Sequence, residues 1–160
     1  MHLNPLEWVH FVAASLALVV GPLVLILRKG TRTHIRLGYL YTTAMLVVNV
    51  PVFFTYELFG RFGIFHGFAV VSLVTLAYGM GSALLRWPRT RWLRLHLSGM
   101  YWSVMGLYFA GIAQILSSTQ ASVPVIAVSA LAMAATASYF FGRYLKRWQQ
   151  VPTRSFRPVG

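Results

Sequence analysis

Five histidines and two glutamates, with no cysteine, are the residues of this chain best suited to hold a metal, a proton or an electron carrier. Without cysteine, thiolate metal sites, iron–sulfur clusters, disulfides and thiol redox chemistry are all excluded for this chain. Imidazole and carboxylate remain, the donors used in haem sites and in zinc, manganese, iron and copper sites. Four histidines, His10, His34, His66 and His96, follow one another at intervals of roughly 24 to 32 residues. That is about the length of a membrane-crossing helix with its loop.

The elements that must position them are apolar. The chain has 160 residues, 58% hydrophobic and 10% charged, with a mean hydropathy of +0.65. A soluble domain of this size has too little interior to hide that much apolar surface, so lipid is the expected solvent. Apolar stretches run over Trp8–Leu27, Leu37–Leu58, Ile64–Leu85, Leu97–Leu116 and Val123–Phe141. Each suffices to cross a hydrocarbon core of about 30 Å at 1.5 Å per residue. The expected fold is all-α and polytopic: an up-down bundle of helices one to four with a peripheral fifth. Residues 1–142 form one transmembrane domain, and 143–160 form a basic tail.

Every one of the 14 Lys and Arg residues except Arg61 falls after the first, third or fifth span. The positive-inside rule makes that side cytoplasmic, with the N-terminus outside. The net charge of +12 is therefore attributed to anionic lipid headgroups rather than to nucleic acid. The N-terminal stretch has Glu7 where a signal peptide carries basic residues, so the first span is expected to be retained. Thr31 or Thr33 is expected to cap the second helix, Pro88 to sit in the first turn of the fourth, and Pro51 to kink the second.

This topology sorts the histidines. His10 and His66 fall near the outer ends of helices one and three, and His34 and His96 near the inner ends of helices two and four. In a four-helix bundle those helices are diagonal partners, so each pair could ligate a haem b iron from two sides. Small residues line the same faces: His10, Ala14, Ala17 and Gly21 on helix one, and His96, Gly99, Ser103, Gly106 and Ala110 on helix four. Such stripes leave room for a macrocycle, or simply let membrane helices approach closely, the simpler account. With the inner level placed near Arg86, two centres would lie roughly 25 to 30 Å apart.

Competing readings use the same residues. Glu7, His10, Glu57 and His66 together would suit a divalent transition metal at the outer face. Asn49 and Gln114 are expected either to hydrogen-bond between helices or to line a quinone pocket. The alanine- and serine-rich face of helix five, Ala127, Ala130, Ala134 and Ser138, suits packing, a homo-oligomer or a larger membrane complex, and the chain could be a non-catalytic subunit of one.

The run Gly21-Pro22-Leu23-Val24-Leu25, then Arg28-Lys29-Gly30-Thr31-Arg32-Thr33-His34-Ile35-Arg36-Leu37-Gly38-Tyr39, with Phe59-Gly60-Arg61-Phe62-Gly63-Ile64-Phe65-His66 and His96, resembles a bacterial membrane-protein family catalogued as domain of unknown function 2306. That resemblance implies a small polytopic protein and no established activity. The four histidines and their helix assignment also resemble dihaem cytochromes of the b-561 kind. That looser likeness implies a membrane oxidoreductase with haem b on His10/His66 and His34/His96, passing electrons from a quinol or cytoplasmic donor to an acceptor outside.

Overall fold

The computed structural model of the chain describes residues 5–54 and 64–149. It contains five long helices, α1 (Pro5–Ile26), α2 (Arg32–Asn49), α3 (Ile64–Leu85), α4 (Trp92–Ser118) and α5 (Val123–Gln149), plus a single 3-10 turn over Pro51–Phe54. No strand occurs among the described residues. Five spans, the second of them α2 with that turn, are long and apolar enough to cross a membrane. Glu57, Arg61, His2 and the tail from residue 150 onward lie outside the described residues.

Several boundaries differ from the sequence expectation, each for a local reason. Thr31 caps α2, its hydroxyl accepting from the His34 backbone N–H at 3.2 Å. The helix therefore starts at Arg32, earlier than the apolar run. It does not kink through Pro51 but stops at Asn49, because Pro51 offers no N–H to continue the ladder. Pro88 lies before α4 rather than in its first turn, and its carbonyl accepts the N–H groups of Arg91 and Trp92 at 2.9 Å each. The last helix continues to Gln149, so Arg143, Lys146 and Arg147 stand on a helix and not in a flexible tail.

The packing order is cyclic. Helix α1 packs on α2 and α4, and α3 packs on the same two, while no close backbone approach joins α1 to α3 or α2 to α4 among the described residues. Helix α5 packs on α4. Its alanine and serine stripe is mostly off the packed face: Ala137 is buried and Ala134 half-buried, whereas Ala127, Ala130 and Ser138 are exposed.

Two contacts tie α4 to α1 and to α2. Pro22 stands inside α1, leaving the Leu18 carbonyl without its helical donor, and the Tyr108 hydroxyl of α4 donates to that carbonyl at 2.9 Å. Tyr41 of α2 and Ser103 of α4 are both 0% exposed, with their hydroxyl oxygens 2.9 Å apart. Tyr41→Phe is expected to cost about 1 kcal/mol, in the usual range for a buried hydrogen bond between membrane helices. A double-mutant cycle with Ser103→Ala, read by thermal unfolding in detergent, checks it. No coupling between the two positions would show that this bond adds nothing.

The same pair explains the small stripes. A Cβ on Gly21 would meet Tyr41 Cε2 and Val104 Cγ2 at 3.1 Å, so the space beside α1 is already filled by side chains. On α4, a Cβ on Gly99 would fall 2.5 Å from Gly79 Cα, which places the α3 and α4 backbones in direct contact. At Gly21 and Gly99 the stripes thus serve close packing, whereas nothing lies within 4 Å of a Cβ at Gly106. Asn49 bonds within its own helix, its side-chain amide donating to Met45 O at 2.7 Å, and Gln114 is exposed. Among the described residues neither makes an interhelical hydrogen bond.

Candidate functional site

The Gly79–Gly99 crossing positions the first functional side chain. His96 lies one turn before Gly99 on α4, and its Nδ1 is 2.9 Å from the carbonyl oxygen of Gly79 on α3. A carbonyl can only accept, so Nδ1 carries the hydrogen and donates. In the neutral ring Nε2 is then left with its lone pair, the state a metal ligand needs. The Gly79 oxygen also accepts from Ser82 Oγ at 3.0 Å, which holds it in place.

His34 comes from the first turn of α2, the diagonal helix, and is 9% exposed. Its ring centroid is 6.3 Å from that of His96, with the ring planes at 89°. The inner pair predicted from the sequence is therefore brought together. His34 Nδ1 is buried with no hydrogen-bond partner among the described residues.

The outer pair is arranged differently. His66 is 5% exposed and has the ring of Phe53 at 6.3 Å. His10 is half-buried on α1, and Glu7 is exposed in the first turn of that helix. No ring contact or hydrogen bond joins His10 to His66 among the described residues. The four-residue metal constellation includes Glu57, which lies outside the described residues. Among the described residues no group of three or more His, Asp or Glu side chains is placed to hold a metal ion.

The geometry also revises the distance between the two histidine levels. Because His96 is level with Gly79 rather than with Arg86, thirteen residues of α3 separate that level from His66. At 1.5 Å per residue this is about 20 Å, shorter than the 25 to 30 Å expected from the sequence.

Beside the inner pair a cavity of about 450 Å³ opens between α2 and α3. His34 and His96 line it, as do Lys29, Arg32 and Arg86. Gly38, one turn after His34, has nothing within 4 Å of where a Cβ would be, so the cavity is open at that wall.

Lys29 is the residue that sequence reasoning passed over as one basic residue among four in its loop. It is 8% exposed, and its Nζ donates to the carbonyls of Val24 and Leu25 at 2.8 Å each. Those carbonyls belong to the last turn of α1, which has no basic residue of its own. The ammonium also lies over the rings of Tyr144 (5.5 Å) and Trp148 (4.6 Å) on α5. One cation thus caps α1 and ties down α5. The only available signal was its place just past a helix end, with aromatics on a later helix, and nothing in the sequence pairs those two segments.

Burial, and after it the Arg147 guanidinium, push the Lys29 ammonium down from 10.5 to about 7. The unfolded chain then binds more protons than the folded one between these two values. Stability is expected to rise as pH increases from about 7 towards 10.5, with the cost of the buried charge fully present below pH 7. Unfolding midpoints of wild type and Lys29→Met at pH 7 and pH 10 check this. The wild-type increment should exceed that of the variant, and equal increments would refute it.

Comparison with protein-family models, with curated proteins and with solved structures finds no match to this chain.

Proposed function

We propose that this chain is a membrane redox protein that binds haem b between His34 and His96 at the basic end of its helices. The observation that carries the reading is the spacing of the two rings. Were one metal held between these two imidazoles, bonds of about 2.0 to 2.1 Å would put the ring centroids about 6.4 Å apart. The two centroids are 6.3 Å apart. Only two protein ligands meet there, and no third donor of the His, Asp or Glu type joins them among the described residues. A bare zinc ion generally takes four ligands, whereas a porphyrin brings four nitrogens and needs only an axial pair.

Bound there, haem b would supply a one-electron iron couple. The protein's contribution is orientation. Gly79 O keeps the His96 tautomer that leaves Nε2 available, and the crossing of α3 on α4 fixes the ring. The surrounding apolar helices limit water at the site. In this reading α1–α4 form an up-down bundle with α5 outside it, and the basic end faces the cytoplasm. Electrons would be exchanged with a quinol or a cytoplasmic donor at that end. A relay to an outer acceptor would use a second centre at His10 and His66, and the contacts favour the inner centre.

Purified protein supplied with haem is expected to give reduced-minus-oxidised Soret and α-bands at about one haem per chain. Metal analysis showing stoichiometric zinc or copper without porphyrin would replace this reading with a metal-binding one. Absence of both would remove it.

A further inference from the structure

The cavity beside the histidine pair has a charge imbalance that the chain does not correct. Three cations line it, Lys29, Arg32 and Arg86. The sequence holds two acids in all, Glu7 and Glu57. Glu7 stands in the first turn of α1, at the opposite end of that helix from Lys29. No carboxylate is paired with any of the three cations among the described residues. Cations brought together in a partly enclosed space repel one another unless an anion joins them.

Of the three, Lys29 is buried, whereas Arg32 and Arg86 are exposed at the rim of the cavity. The Lys29 Nζ is held by its two carbonyls and lies over the Tyr144 and Trp148 rings, and it adds its charge to this cavity wall. Arg86 ends α3 in the left-handed region, at φ 49°, where glycine would fit without strain. Arg32 opens α2 at the cavity mouth. Away from these charges the walls are apolar, formed by Ile35, Met80, Ala83 and Leu84. The buried, unpartnered Nδ1 belongs to His34, which lines the same space. A cationic mouth over apolar walls at the end of membrane helices suits a molecule that is anionic at one end and apolar along its body.

We propose that Lys29, Arg32 and Arg86 bind the anionic oxygens, carboxylate or phosphate, of an amphiphile whose apolar body lies in the cavity. Two sources share this chemistry. One is the pair of carboxylates on the haem, and this source rests on the reading above. The other is the phosphate of an anionic phospholipid, which does not depend on that reading.

The test uses the full chain in detergent, comparing wild type with Arg32→Gln/Arg86→Gln and with Lys29→Met. Arg89→Gln, an exposed arginine outside the cavity, serves as control. Haem and haem dimethyl ester are titrated by absorbance, and retention of phosphatidylglycerol against phosphatidylcholine is read by native mass spectrometry. If the haem carboxylates are the ligand, the double variant weakens haem binding by at least about tenfold and no longer distinguishes the acid from the ester. If lipid phosphate is the ligand, wild type retains phosphatidylglycerol selectively, the double variant loses that selectivity, and binding of haem matches that of its ester. Wild-type behaviour of the double variant in both assays, with unchanged unfolding midpoints, overturns the proposal. Should wild type bind no haem at all, the haem reading fails by itself and the lipid arm still decides this one.

Discussion

His96→Ala and His34→Ala proteins are each expected to lose the Soret and α-band absorbance of haem-loaded wild type, while His10→Ala and His66→Ala keep it. The asymmetry follows from contacts. The inner rings stand 6.3 Å apart, and one of them is fixed by a backbone carbonyl. No contact of that kind joins the outer pair among the described residues. Were haem held by both imidazoles, loss of either would remove the wild-type spectrum even where some porphyrin stays bound. Packing effects can be separated from ligation by His96→Met, since a thioether can take an axial position and would retain haem with a shifted reduction potential. Haem bound to His96→Ala with the wild-type spectrum would end the proposal. Halved absorbance in His66→Ala would instead bring a second, outer centre into play.

The second large effect concerns the helix crossing beneath that site. Gly99→Leu is expected to abolish accumulation of folded protein, and Gly99→Ala to destabilise it by about 1 to 3 kcal/mol. A Cβ at this position would sit 2.5 Å from Gly79 Cα, and backbone cannot rotate aside as a long side chain can. The two helices would have to separate. Because Gly79 O holds His96, separation should also loosen the histidine, so Gly99→Ala protein that still folds should bind haem more weakly. Gly106→Ala supplies the contrast on the same helix: nothing lies within 4 Å of its Cβ position, and the change should be neutral or stabilising by up to about 1 kcal/mol. Yield of monodisperse protein, unfolding midpoint and haem affinity read all three. Equal behaviour of Gly99→Ala and Gly106→Ala would show that the crossing tolerates separation.

The amount of this legible in the sequence depended on which coordinate was being asked for. Depth along a helix is readable, since each residue adds a fixed rise and the apolar runs mark where helices stand. His34 and His96 were accordingly placed at one level and at one end. The Thr31 cap was legible too, because capping is a contact between neighbours in sequence. Boundaries were less secure where polar or charged residues continue a helix, as Arg143, Lys146 and Arg147 do in α5.

What surrounds each residue was not readable in the same way. A membrane helix that is apolar on every side carries no stripe that names its partner, and lipid is as apolar as leucine. The sequence therefore offered two histidine pairs without showing what surrounds either, while α3 gave His96 a carbonyl and α2 gave it a facing ring. The role of Lys29 was hidden for the same reason: it bridges the end of α1 to rings of α5 that lie more than a hundred residues further along the chain. By itself, then, the sequence determined that five apolar helices carry four histidines at two levels with nearly all the positive charge at one end. Only the tertiary structure decided that His34 and His96 meet, that the space beside Gly21 and Gly99 is filled, and that three cations share a cavity with no acid among the described residues. The rise per residue is a property of the local chain, whereas rotation and pairing come from close packing between segments distant in sequence.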